Sequence, residues 1–202
     1  MFKALKCGTA AALLAIAGSA GAATVTFDSL TNPGIWQFYG DTYTEQGFSF
    51  AATVRSNGYT LYTYGLDSPF NADPDGATLH QEFEGRHYGI VASLADGGTF
   101  TLTSFDLANS WNDANGGTVH FVYTDATGHH REDLTLAHET GLQTFTFDLS
   151  GLTSFSLWSN NYQLDNVVAS ADVVVVPEPS SYALMLAGLA GIVGLARRRN
   201  KA

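Results

Sequence analysis

Cysteine is almost missing: the one thiol among 202 residues is Cys7. No disulfide can staple the rest of the chain, so its stability rests on packing and sheet hydrogen bonds, with a bound cation as a further device. Lysine is absent from Thr24 to Val176, where only Arg55, Arg86 and Arg131 face 18 Asp and Glu, a formal charge of −15. Such a surface repels phosphate polymers, whose affinity depends on Lys and Arg, and excludes a nucleic-acid partner. It repels anionic lipid as well. The charge reads as solubility outside the cell, or as cation binding or docking to a basic or neutral polymer. Helical periodicity is lacking before residue 178, and no Ser or Cys nucleophile motif is present. No repeat of solenoid or propeller length occurs. Carboxylates abound, but nothing marks any two as an acid/base pair. The expectation is a protein that is not an enzyme.

Two ends stand apart from the body. Residues 1–22 carry Lys3 and Lys6, a small and apolar run from Thr9 to Ala17, and Ala20-Gly21-Ala22 as a peptidase site. That is a secretory signal peptide, read by signal peptidase, with Ala22 and Ala23 equally good cleavage points. No lipobox surrounds Cys7, which argues against a lipid anchor.

The other end, residues 176–202, runs Val176-Pro177-Glu178-Pro179, then an apolar stretch to Ala196, then Arg197-Arg198-Arg199. About 17 apolar residues at 1.5 Å rise span roughly 26 Å, enough for a helix across a thin bilayer. The arginines would hold the terminus on the cytoplasmic side. The prolines keep the junction extended. In this order the segment closely resembles the PEP-CTERM sorting signal. The resemblance implies recognition by an exosortase, transient anchoring in the inner membrane, cleavage near Pro177, Glu178 and Pro179, and delivery to the cell surface or exopolysaccharide matrix. Segments of this kind also go under the label of an ice-binding protein carboxyl-terminal domain. Ice binding needs a flat, regular threonine array, and Thr99, Thr101 and Thr103 supply one short row.

Residues 23–175 leave room for one domain with a proper core. Thr99–Thr103, Thr118–Thr124, Thr144–Leu149, Phe155–Trp158 and Tyr162–Asp165 alternate apolar and polar residues. Period-two alternation rich in Thr, Val, Phe and Tyr predicts half-buried strands. Asp96-Gly97-Gly98, Asn115-Gly116-Gly117 and Asp125-Ala126-Thr127-Gly128 predict turns. The last should join strands 118–124 and 129–136 in a hairpin, and Gly151 should separate two further strands. Leu66 to Glu84 reads as a long polar loop, of the kind that often carries function. The fold class is all-β: an antiparallel β-sandwich, jelly-roll-like, flanked by an N-terminal signal helix and a C-terminal transmembrane helix.

Asn71, Asp73, Asp75 and Glu82 occupy relative positions 1, 3, 5 and 12, with Gly76 at the sixth. That spacing suits a wrapping Ca²⁺ loop, although Pro74 and the lack of flanking helices depart from the pattern and a plain solvent loop remains open. Trp36, Phe38, Tyr39, Tyr59, Tyr62, Tyr64, Trp111 and Trp158 offer flat rings that can stack on sugar, with core packing as the alternative. Trp111, set among Asn and Asp, is the ring expected to be exposed. His120 should face Asp133 across the hairpin, which favours cross-strand pairing over a metal site. Phe27-Asp28-Ser29-Leu30, Tyr43 to Phe50 and Leu164-Asp165-Asn166-Val167 resemble β-sandwich domains found before such tags, themselves similar to carbohydrate-binding jelly rolls. That resemblance implies adjacent first and last strands sharing a structural calcium, with Asp28 and Asp165 as ligands.

The expectation is a secreted, tagged and trimmed non-catalytic module that binds polysaccharide with calcium as a structural aid. A purely structural matrix or biofilm protein and a glycan-active hydrolase are the alternatives.

Overall fold

The computed structural model describes residues 21–53, 61–80, 88–159 and 162–172, with Leu184 and Gly188 of the tail. The chain divides into two units, Met1–Asp172 and Val173–Ala202. Among the described residues the first unit forms strands β1 (Ala23–Val25), β2 (Trp36–Gly40), β3 (Thr42–Glu45), β4 (Phe48–Ala52), β5 (Leu61–Tyr64), β6 (Leu79–His80), β7 (Tyr88–Leu94), β8 (Phe100–Asn109), β9 (Gly117–Asp125), β10 (Gly128–Leu136), β11 (Gln143–Leu152), β12 (Ser154–Ser159) and β13 (Tyr162–Ala171). One 3₁₀ turn, Asp28–Leu30, follows β1.

The strands make two antiparallel sheets, which is the expected β-sandwich. One sheet runs β11-β8-β13-β6-β5-β2, with β1 also on β13; the other runs β10-β9-β12-β7-β4-β3. First and last strands are therefore neighbours, with Val25 opposite Val167. Alternation drives this arrangement. Val119 and Phe121 of β9, Phe100, Leu102, Phe105 and Leu107 of β8, and Phe155 and Leu157 of β12 point inward and are buried. Phe105 lies 5.4 Å from Phe121 and 5.7 Å from Phe155, ring centre to ring centre, knitting the sheets together. Burial of such side chains supplies the main stabilisation.

The hairpin forms as its turn residues dictate: Asp125 Oδ1 accepts from the backbone N–H of Thr127 at 2.7 Å and of Gly128 at 3.2 Å. Two expectations need correction. The stretch from Leu66 onward contains a short strand, β6, because Leu79 packs in the core and pairs with Leu164. Gly151 does not end a strand. It takes φ +70° inside β11, where the register against β8 shifts, so it accommodates a bulge. The break falls at Thr153.

Leu184 and Gly188, in the second unit, are helical. The signal peptide up to residue 20, the Pro-Glu-Pro motif and the arginine run lie outside the described residues, as does most of the expected transmembrane helix. Among the described residues no helix is long and apolar enough to cross a membrane.

Candidate functional site

Two places on the sandwich bring chemistry-bearing side chains together. The first is acidic and lies on the outer face of the seven-stranded sheet. After β1 the chain turns at Phe27, whose φ is +57°, and presents Asp28. On β13, Asn166 takes φ +46° at a register shift, so Asp165 and Asn166 sit at a bulge. Asp165 faces Asp106 of β8, and Asn166 Nδ2 donates to Asp106 Oδ2 at 2.9 Å. The third contributor is the loop from Asn71 to Gly76. Asn71 closes it, donating from Nδ2 to the Gly76 carbonyl at 3.1 Å and accepting at Oδ1 from the Asp73 N–H at 3.3 Å. Gln163 clamps it: its Nε2 donates to the carbonyl of Phe70 at 2.8 Å, and its Oε1 accepts from Ala72 N–H at 3.1 Å.

Gly76 shows how tightly this loop is drawn in. A Cβ there would lie 2.1 Å from Asp28 Oδ1 and 2.3 Å from Asp73 Oδ2. The two carboxylates therefore converge over a position where any side chain would collide. Asp165 is 1 % exposed, and its carboxyl is pushed up to about 8 by burial, with the charges of Asp73, Asp28 and Asp106 adding to the effect and a hydrogen bond from Asn166 N–H opposing it. Asp28, from the set implied by resemblance, and Asp73, from the set inferred from spacing, thus converge at Gly76, and the charges of both reach Asp165. Asp75 is exposed, and its N–H binds Asp73 Oδ1 at 3.1 Å. Asn71 uses its amide inside the loop. Glu82 lies outside the described residues. Among the described residues no three His, Cys, Asp or Glu side chains are already drawn to one point. The donors are all oxygen, the chemistry a hard cation such as Ca²⁺ takes.

The second place is a hollow of about 330 Å³ on the outer face of the six-stranded sheet, lined by His120, Val122, Arg131 and Trp158. Register builds it. Gly89, Trp158, His120 and Asp133 stand opposite one another in a row across β7, β12, β9 and β10. The next row is Val91, Ser156, Val122 and Arg131. Paired residues of antiparallel strands share a face, so these side chains point outward together. Gly89 leaves room for the indole, since a Cβ there would lie 3.0 Å from Trp158 Cδ2. Trp158 Nε1 donates to Ser156 Oγ at 2.8 Å, which fixes the ring. His120 Nδ1 donates to Asp133 Oδ1 at 2.7 Å and Arg131 Nε donates to the same oxygen at 3.3 Å. The hydrogen bond from His120, with help from Arg131, holds Asp133 below the usual carboxylate range. An aromatic and apolar floor beside a charged, hydrogen-bonding rim fits an amphipathic ring such as a pyranose.

Sequence reasoning named Trp158 and the facing of His120 and Asp133 but did not combine them. The signal was present: counting back from the hairpin and from β12 puts Trp158 beside His120. Trp111 is 41 % exposed, but Trp36 and Phe38, at 55 % each, are more so. Trp111 packs on Phe70 with ring centres 5.0 Å apart. Among the described residues a Ser–His contact, His80 with Ser110, is sealed in the fold. Burial lowers His80 to about 3, so it is neutral.

Residues 175–200 match the PEP-CTERM protein-sorting motif. The chain carries that motif, which indicates export and sorting to the cell surface. The match includes Pro177, Glu178, Pro179, Arg197, Arg198 and Arg199. No curated protein matches the chain. Among solved structures it is similar to an exo-β-agarase at 10% identity and TM-score 0.40, covering 74% of this chain and 25% of that one. It is also similar to the family 11 carbohydrate-binding module of Clostridium thermocellum at 14% identity and TM-score 0.32, covering 77% and 98%. A third is the K3 adhesin domain of Lys-gingipain from Porphyromonas gingivalis w83, at 17% identity and TM-score 0.39, covering 75% and 100%. The chain spans a quarter of the length of the agarase.

Proposed function

We propose that this chain is a non-catalytic polysaccharide-binding module, exported by its signal peptide, held briefly in the inner membrane, cut by an exosortase beside Pro177-Glu178-Pro179, and released to the cell surface or exopolysaccharide matrix. The hollow at Trp158 carries the binding reading. A pyranose ring lies with its apolar face on the indole, and its hydroxyls meet the Arg131 guanidinium and the Asp133 carboxylate. Asp133 is ionised and engaged by two donors, so it accepts hydrogen bonds and does not serve as a proton donor.

Asp28, Asp73 and Asp165 hold a Ca²⁺ in this reading. The ion supplies positive charge to a site where three carboxylates would otherwise repel. It ties the first strand, the last strand and the loop from Asn71 to Gly76 into one unit, and its role is structural.

The test is binding of the secreted protein to a glycan array, compared with Trp158→Ala and Trp111→Ala. Loss on Trp158→Ala with retention on Trp111→Ala supports the hollow. Retention by Trp158→Ala removes it as the site. Turnover of any bound polysaccharide would make the protein a hydrolase and overturn the non-catalytic reading.

A further inference from the structure

Among the described residues a cluster of exposed apolar side chains lies on the other sheet. Ile35, Trp36 and Phe38 are 54 %, 55 % and 55 % exposed. Trp36 and Phe38 sit on β2, the edge of the seven-stranded sheet, opposite Tyr64 and Tyr62 of β5. Leu61 of β5 points into the core, so Tyr62 and Tyr64, and with them Trp36 and Phe38, are on the outer face. The two exposed rings are 4.7 Å apart at 70°, which makes a corner, a floor with one wall, and not a flat table.

This corner has a rigid base. Phe38 packs on Tyr62 at 5.8 Å, and Tyr62 packs on buried His80 at 4.5 Å. Edge strands with exposed aromatic side chains and no charge are normally selected against, since they invite association. From Ser29 to Gly40 there is no charged residue at all, in a domain of formal charge −15. Charge decides the occupant. A second copy would bring another −15 against the first. Anionic lipid and acidic polymers meet the same repulsion. A neutral polysaccharide does not, and its sugar rings offer the apolar faces that a ring corner accepts.

We infer that Trp36 and Phe38 form a second sugar-binding surface, so that one molecule holds a neutral polysaccharide strand on each outer face and bridges two strands. This rests on the reading of the hollow at Trp158 for its other half. The two sheets of a sandwich pack through their inner faces, so their outer faces look away from each other and a single strand is not asked to reach both. A module with two opposed surfaces thickens a polymer network, because each second contact forms at the high effective concentration set by the first.

The experiment adds the secreted, processed protein to a soluble mixed-linked β-glucan, an arabinoxylan and molten agarose, and follows viscosity, while a matching oligosaccharide measures simple binding. Wild type is expected to raise the viscosity of at least one polymer, with a maximum at intermediate protein-to-polymer ratio. The double variant Trp36→Ala/Phe38→Ala is expected to bind oligosaccharide at the hollow within twofold of wild type and to lose the thickening. Trp36→Gln/Phe38→Gln should do the same, and an unchanged melting midpoint confirms that either variant is folded. Thickening that survives both double variants overturns the bridge. Oligosaccharide binding that depends on Trp158 without any thickening also overturns it but leaves the hollow standing, whereas no binding to any probe sinks both. Dimerisation of the protein alone, lost in the double variants, would make the corner an interface between copies and contradict the proposal.

Discussion

Raising the pH in the presence of a chelator should destabilise the domain, and calcium should abolish the effect. Asp165 carries the effect. Its carboxyl titrates at about 8 in the folded chain because it is buried near Asp73, Asp28 and Asp106, and near 3.9 when unfolded. Between those values the folded state binds the extra proton, so stability falls as pH rises, and the loss is complete above the folded value. His80 works in the opposite sense. Its folded value of about 3 lies below the unfolded one near 6.5, so it costs stability as pH falls through 6.5 and adds only a small opposing slope in the unit above it. Over the window from pH 6.5 to 8 Asp165 therefore dominates. Linkage over that window gives a loss on the order of 1 to 2 kcal/mol, or roughly 2 to 6 °C in Tm for a domain of this size.

Calcium reverses the sign of the site, since the ion takes the ionised carboxylate and displaces the proton. At 100 times its Kd a ligand adds about 2.7 kcal/mol, roughly 5 to 10 °C, and more of this should appear at pH 8 than at pH 6.5. Melting curves across that window, with chelator and with millimolar calcium, check both parts. Asp165→Asn should flatten the slope in chelator and remove the calcium shift. A wild-type midpoint that ignores both pH and calcium would refute the ion site and the coupling of the four aspartates together.

Other outcomes follow from the same geometry. Gly76→Ala forces Asp28 and Asp73 apart and should cost about 1 to 3 kcal/mol as an overpacking change, with a weakened calcium shift in the melting curve. Gln163→Ala strands partners on Phe70, Ala72 and Thr78 and should cost about 2 to 4 kcal/mol, seen by denaturant melts and by faster amide exchange in the loop from Asn71 to Gly76. Phe105→Ala removes a ring between the sheets and should cost about 3 to 5 kcal/mol, lowering the urea midpoint without altering which glycan is bound. Mass spectrometry of the secreted protein, from a host with an exosortase, should show a terminus near Pro177–Pro179; a retained arginine run would contradict trimming.

Local patterns in the sequence carried much of the fold. The alternation of Val119, Phe121 and Tyr123 placed β9, and Asp125 to Gly128 placed its hairpin, because side-chain period and turn chemistry are decided within a few residues. The Pro-Glu-Pro tag was legible for a similar reason: its order of proline, apolar span and arginines is a linear signal. What depended on pairing was harder to see. Gly151 looked like a break, and only the register against β8 shows a bulge. Leu79-His80 is too short to show a period, and becomes a strand because β13 and β5 flank it. Asp28, Asp73 and Asp165 are far apart along the chain, and nothing in the spacing of Asn71, Asp73, Asp75 and Glu82 indicates that Asp73 turns toward β1 and β13. The hollow needed three strands in register before Trp158, His120 and Arg131 could share a face. Trp36 and Phe38 stood among the rings that could stack on sugar or pack in the core, and only the place of β2 at the sheet edge shows that they are exposed.

The most direct measurement is a titration of the secreted protein with a soluble neutral oligosaccharide, followed by heat or by indole fluorescence, beside Trp158→Ala. Stacking on a central ring predicts saturable binding to the wild type and a loss on the order of 2 kcal/mol, about thirtyfold in Kd, in the variant. Equal affinity in the two proteins would mean that the face of the six-stranded sheet is not where sugar binds.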